Sequence, residues 1–286
     1  MRNFEVHVES ATRTYLIKKF SDGLDRDHAD TLVTEEPLSI AVAHMERTVE
    51  IAVTMRTPGH DADLALGFLA AEGLLHAGDG SPDYTIIQKI ISPEENIITL
   101  HVNESAFARM AEADQLRRYS FVQSSCGICG SRSISDLRAK GFRRIEDAAV
   151  FMAEPILALP DRLRREQKIF EQTGGLHGAG LFDNEGNLLC AREDIGRHNA
   201  VDKIIGWTFM QRRLPLHGHL LLVSGRVSYE IVQKALSVGI PCIAAVSAPS
   251  SLAVKSAHEF GMTLIGFLRS GHYNIYCGAQ RIVQHA

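Results

Sequence analysis

From His219 to Arg269 the sequence alternates short apolar runs with amphipathic stretches: "HLLLVSG", "SYEIVQKALSVG", "PCIAAVSA", "SSLAVKSAHEFG" and "MTLIGFLR". The apolar runs read as buried strands and the longer stretches, with their helical spacing, as helices. Strands alternating with helices of that length imply right-handed crossovers and a parallel sheet covered on both faces. That pattern makes the C-terminal part of the chain α/β.

Upstream the periodicity changes. "LPDRLRREQKIFEQTGG" reads as one helix, charged on its outer face and closed by Gly174. "GAGLFDNEGNLLCARED" reads as a hairpin turning at Asn184 to Gly186, and "IGRHNAVDKIIGWTFMQR" as a further helix. The N-terminal stretch is strand-rich: "LSIAVAHMERTVEIAVTMR" is a hairpin about Glu46 and Arg47, and "YTIIQKIISPEENIITLHVN" a strand pair around "SPEEN". Between them, "TPGHDADLALGFLAAEGLL" has helical periodicity, with Asp61 as N-cap and Leu64, Phe68 and Leu69 on one face. The expected organisation is a smaller strand-rich α+β part over residues 1–150, ending in a loop and the short helix "ISDLRAKGF", then an α/β domain over residues 151–286.

Charge and hydropathy remove several functions. With 30 basic against 34 acidic side chains and a net charge of −4, the chain has no global cationic field to gather nucleic acid or anionic lipid. Its apolar runs fall far below the ~20 residues that span a bilayer. The N-terminus, "MRNFEVHVESATRTYLIKKF", lacks the apolar core and cleavage site of a secretion signal. The expectation is a cytoplasmic protein whose five cysteines are mostly reduced, so that a CxxC is reactive or metal-binding rather than a structural disulfide.

Open α/β sheets bind ligands beyond the carboxyl ends of their strands. Three segments follow strands there: "SGRVS", containing Ser224, Gly225 and Arg226; "SAPSS"; and "FLRSGH", made of Phe267, Leu268, Arg269, Ser270, Gly271 and His272. The first two lead into helix N-termini, where free N–H groups and the helix dipole favour an anion, and Arg226 and Arg269 can close on phosphate oxygens. The plainer reading is that these serines cap helices and the glycines make turns. "REDIGRHNAVDK" adds Arg192, Arg197, His198 and Asn199 at a strand-to-helix junction, although most charge-dense helix starts are solvated faces. "TGGLHGAG" sets His177 among four glycines, a pattern of close backbone approach; a lone histidine is also commonly just hydrogen-bonded locally.

"SSCGICGSRS" places Cys126 and Cys129 two residues apart, each followed by glycine. A thioredoxin-like pair should start a helix directly after a buried strand, and neither neighbour fits. A structural zinc site needs four ligands; Cys190, Cys242 and Cys277 are isolated, leaving zinc shared across a dimer. A deaminase-type zinc would need a complete H-x-E and P-C-x-x-C, and both are incomplete. A sulfur carrier needs only an accessible nucleophilic thiol and a second thiol nearby, with Arg132 placed to lower a thiol pKa.

Taken in order, "CGICG", "TGGLHGAGLFD", "REDIGRHNAVDKIIG", "SGRVSYEIVQKA", "GIPCIAAVSAPSSLAV" and "GMTLIGFLR" resemble the formate dehydrogenase accessory sulfurtransferases, often written FdhD. The resemblance implies a sulfurtransferase that takes sulfur from a cysteine desulfurase as a persulfide on Cys126, with Cys129 supporting transfer. It implies that the sulfur goes to the bis(molybdopterin guanine dinucleotide) form of the molybdenum or tungsten cofactor, before insertion into the catalytic subunit of formate dehydrogenase. It further implies that Phe267 to His272 form part of the cofactor site, that the C-terminal domain is cytidine-deaminase-like without the zinc, and that the protein is a homodimer. No resident metal is expected. The rival is a chaperone that only binds and delivers the cofactor, its CxxC serving as a docking loop or shared zinc site.

Overall fold

The computed structural model describes residues 11–21, 24–75, 84–85, 96–119, 134–139, 141–146 and 148–284. Cys126 and Cys129 lie outside these residues. Strands β1 (Thr12–Ser21) and β2 (Leu24–Val33) pair as an antiparallel ribbon. Strands β3 (Glu36–His44) and β4 (Arg47–Arg56) make the expected hairpin, with the turn at Met45 and Glu46. Helix α1 (Asp61–Ala71) follows, then β5 (Tyr84–Thr85) and β6 (Ile97–Val102), which runs parallel to β3 and gives the order β4-β3-β6-β5. Asp61 is not the N-cap: His60 holds that position at φ 58°, and the Asp61 carboxylate instead takes two hydrogen bonds from Arg56, both 3.1 Å.

Helices α2 (Glu104–Tyr119) and α3 (Ile134–Ala139) precede strand β7 (Phe151–Met152). The stretch expected as one helix is two, α4 (Ala153–Glu166) and α5 (Lys168–Thr173), broken at Gln167 where ψ is 66°. Gln167 is buried, its amide packed against Gly178, so tertiary packing overrides helical propensity at that residue.

Strands β8 (His177–Phe182) and β9 (Leu188–Asp194) form a hairpin. The chain continues through α6 (Arg197–Met210), β10 (Leu220–Val223), α7 (Tyr229–Ser237), β11 (Cys242–Ala245), α8 (Ser251–Glu259), β12 (Thr263–Arg269) and β13 (His272–Cys277). Strand β14 (Ile282–Val283) then pairs with β7. The fold class is α/β as expected, but the sheet is mixed: its order is β13-β12-β11-β10-β8-β9, and only β10, β11 and β12 run parallel. The β8–β9 and β12–β13 pairs are hairpins and so antiparallel, β8 also pairs antiparallel with β10, and β13, an edge strand with mostly exposed side chains, carries no apolar run to announce it.

Alternate side chains of the central strands enter opposite layers. Leu221, Ile243 and Leu264 join a large cluster with Leu66, Ile204, Val232 and Ala257 from α1, α6, α7 and α8; Leu220, Leu222, Ala244 and Ile265 face Ile156, Leu159 and Leu163 of α4. The large cluster also contains Leu38, Ile98 and Phe107, so one apolar core holds side chains from both halves of the chain. Among the described residues no helix is long and apolar enough to cross a membrane.

Candidate functional site

The carboxyl ends of β10, β11 and β12 form a continuous rim. Val227 and Pro249 form a parallel bridge, Val227 N–H donates to Ala248 O at 3.2 Å, and Phe267 N–H donates to Ser247 O at 3.2 Å. The loops after the three strands are thus laced side by side. The capping reading also holds in part, since Ser250 Oγ accepts from Ala253 N at 3.2 Å and opens α8.

One end of the rim collects residues from three distant stretches of sequence. Strand β8 starts at His177, α6 starts at Arg197, and the loop Ser224–Ser228 lies between them. Ser224 and Gly178 are joined by two hydrogen bonds, both 2.9 Å, which lock the loop to β8. A Cβ added to Gly225 would lie 3.4 Å from both Arg197 Cδ and His177 Nδ1, so the absent side chain lets both groups close over the backbone. His198 Nε2 lies 3.0 Å from Ser228 Oγ and 3.8 Å from the Glu230 carboxylate.

Charge is unbalanced here. Arg197 Nε is buried and makes no hydrogen bond, and among the described residues neither Arg197 nor Arg226 has a carboxylate within ion-pair distance. Burial, with Arg197 and Arg226 nearby, holds His177 below its ordinary pKa. Burial, then Arg197 and Lys234, lowers His198 to about 4. Arg197 and Arg226, neither ion-paired, stand beside these imidazoles and favour an anion, while the Glu230 carboxylate, 3.8 Å from His198, offsets part of that charge.

His198 should therefore be neutral at about pH 5.5, when exposed histidines are largely charged. The unfolded chain binds a proton at His198 below 6.5 and the folded chain only near 4, so this group's contribution to stability declines as pH falls through that window. Imidazole NMR across the range checks this; a midpoint near 6.5 contradicts it.

The other end of the rim is the β12–β13 hairpin. Phe267 is half-buried with φ 53°, Arg269 pairs with His272, and Gly271 takes φ 88° in the turn. Arg269, Ser270, Gly271 and His272 are exposed, whereas the Leu268 side chain is enclosed in the layer beneath α4. Gly271 and His272 line an open cavity of about 1280 Å³, walled by Glu154 and Leu157 of α4, Ile275 of β13 and Val283 of β14. Among the described residues, no hydrogen bond or ion pair links this hairpin to the His177–Arg197 group.

Two residues of the charged junction are committed elsewhere. Arg192 pairs with Asp63 at 2.8 Å, and Asn199 donates to Met55 O at 2.8 Å and to Asp194 at 3.1 Å. Cys190, Cys242 and Cys277 are buried; burial pushes the Cys190 thiol up to about 12 and raises the other two, which keeps them protonated and poor nucleophiles. Sequence reading missed Glu230 and the α4 and β14 walls of the cavity. Glu230 had a faint signal in its place at a helix start; the walls come from elements far apart in the chain and had none.

Helix α3 and the chain after it are fastened to the end of α8. Arg138 of α3 pairs with Glu259, Arg144 donates to Glu259 O at 3.1 Å, and Ile145 N–H donates to Phe260 O at 2.9 Å. These contacts lie where α8 ends and β12 begins, at the sheet edge opposite the rim.

The model of the FdhD/NarQ family matches residues 33–283. A protein of Streptomyces avermitilis named sulfur carrier protein FdhD is 44% identical over 270 residues, covering 94% of each chain. One of Mycobacterium tuberculosis with the same name is 46% identical over 258 residues, covering 88% of this chain and 92% of its own. A crystal structure from Desulfotalea psychrophila, provisionally described as a formate dehydrogenase accessory protein, superposes with a TM-score of 0.73 over 96% of this chain and 100% of that one; at 23% identity it speaks to the fold. A family model matching residues 33–283, with relatives 44% and 46% identical over most of the chain, places the chain in the FdhD/NarQ family.

Proposed function

We propose that the protein is a cytoplasmic sulfurtransferase that accepts sulfur from a cysteine desulfurase and delivers it to the bis(molybdopterin guanine dinucleotide) cofactor required by formate dehydrogenase. The observation that carries this reading is the extended match to relatives named as sulfur carriers, together with a cationic rim and a large cavity in the same chain. In the first step the Cys126 thiolate attacks the terminal sulfur of the donor's persulfide; the S–S bond breaks, the donor leaves as a thiolate, and Cys126 holds the sulfur. Cys129 supports its onward transfer.

The cofactor is the substrate, and the described residues suit its parts. At about 1280 Å³ the cavity beside Gly271 and His272 exceeds the roughly 300–1,000 Å³ common for small ligands, as a double dinucleotide requires. Arg269 and His272 face its phosphates from the hairpin, while Arg197, Arg226, His177 and His198, with the Ser224–Gly225 backbone, offer a second anion subsite. Glu154 on the cavity wall is an acceptor for a guanine edge.

Guanosine diphosphate is a direct probe of a nucleotide arm. Arg269→Ala is expected to weaken its binding roughly tenfold by calorimetry, the loss of one charge-assisted phosphate contact. Unchanged affinity would remove the hairpin from the site.

A further inference from the structure

Asp194, the last residue of β9, is 0% exposed, and Lys203 of α6 is 1% exposed; their charges meet at 2.7 Å. No step proposed above uses either one. Every arm of the pair is nevertheless occupied. Lys203 Nζ also donates to Thr57 O at 2.9 Å and Glu193 O at 3.3 Å. Asp194 Oδ2 accepts from Thr57 N at 3.2 Å, and Oδ1 accepts from Gly196 N at 2.8 Å and Asn199 Nδ2 at 3.1 Å.

A buried ion pair adds little stability over apolar side chains of the same volume. Its distinctive effect is geometric. Gly196 and Asn199 bracket Arg197 and His198, so the carboxylate grips the β9–α6 turn on both sides of the two rim residues. Asn199 also holds Met55 O at 2.8 Å, and Ile195 N–H donates to Thr57 Oγ1 at 3.3 Å, which fastens the same turn to β4 and the loop after it. Arg197 Nε has no hydrogen-bond partner, so the hydrogen bonds that hold this backbone, with the close approach of Arg197 Cδ to Gly225, set its placement.

We propose that the Asp194–Lys203 pair is the positioning element of the rim: it fixes the β9–α6 turn so that Arg197 stands beside Gly225 and His198 beside Ser228, and couples that placement to the N-terminal half of the chain. The inference rests on the reading of the rim as an anion subsite.

The test is Asp194→Asn combined with Lys203→Met, which removes both charges while keeping volume. Guanosine diphosphate binding is measured by calorimetry, the imidazole signals of His177 and His198 by NMR, and folding by thermal denaturation. The expected result is a cooperatively folded protein with roughly tenfold weaker binding and displaced His177 and His198 signals. A folded double variant with parental affinity and parental histidine signals overturns the proposal and leaves the pair a packing feature.

Arg197→Ala separates this from the underlying reading. If Arg197→Ala weakens binding and the double variant does not, the rim stands and the positioning role falls. If Arg197→Ala changes nothing, the anion subsite falls, and the histidine signals of the double variant decide the positioning role: displaced signals support it and parental ones overturn it. Should the double variant fail to fold, Asn199→Ala cuts both the tether to Met55 and the grip of Asp194 on the far side of Arg197 and His198, while the Asp194–Lys203 charges stay paired. It is expected to weaken binding about threefold with displaced histidine signals, and parental values for both overturn the proposal.

Discussion

Gly206→Ala is expected to cost about 4 kcal/mol of folding stability, at the upper end for a single added methyl group. Helices α1 and α6 cross with their backbones in contact. A Cβ on Gly206 would lie 1.8 Å from the carbonyl oxygen of Asp63, and one on Gly67 would lie 1.9 Å from that of Asp202. Backbone cannot turn aside as a side chain can, so the helices must separate. Separation pulls on what they carry, since Asp63 pairs with Arg192 and Asp202 with Lys234 at 2.6 Å. It also opens the core that joins the two halves of the chain. Urea denaturation is the measurement, with Gly73→Ala as the comparison. Gly73 has nothing within 4 Å of an added Cβ and only its φ of 73° to lose, a strain of ~1 kcal/mol. Equal midpoints for the two variants would show that the crossing is looser than described.

What the sequence disclosed and what it withheld follow one physical division. Elements whose stability is local or repetitive were legible: the alternation over β10, α7, β11, α8 and β12, the β3–β4 and β8–β9 hairpins, and the stop at Gly174 with its φ of 66°. Elements decided by distant partners were not. The break at Gln167 is set by packing against β8, and His60 rather than Asp61 caps α1 because Arg56 claims the Asp61 carboxylate. Strand β13 exists because β12 offers it an edge, and its own exposed residues give no periodic signal.

The candidate site divides in the same way. Glycine-rich and serine-rich segments at strand ends pointed to the rim, and the fold brings His177, Arg197, His198, Ser224 and Gly225 together from widely separated positions. The same charge-dense junction that supplied Arg197 also supplied Asp194 and Lys203, and composition gave no means of telling a rim residue from a buried anchor. Burial makes that distinction, and burial is a property of the whole fold.

Cys126→Ser is expected to abolish sulfur acceptance, because serine has neither the nucleophilicity nor the ability to hold a sulfane sulfur. Among the described residues Cys190, Cys242 and Cys277 give no substitute, since all three are buried with raised thiol pKa values, and Cys129 is assigned to onward transfer. Formate dehydrogenase made in cells carrying only the variant should be inactive although its polypeptide accumulates. Guanosine diphosphate binding should persist at parental affinity, since the rim and the hairpin are built from other residues. Loss of binding together with activity would mean that the cysteine serves structure or docking, as a delivery chaperone requires.

The most direct measurement is the intact mass of the protein after incubation with a cysteine desulfurase and cysteine, without reductant. The account predicts a species heavier by one sulfur atom, removed by dithiothreitol, mapped to the peptide containing Cys126 and absent from Cys126→Ser. A protein that stays at its unmodified mass beside an active desulfurase, or that gains the sulfur equally in the variant, would contradict it.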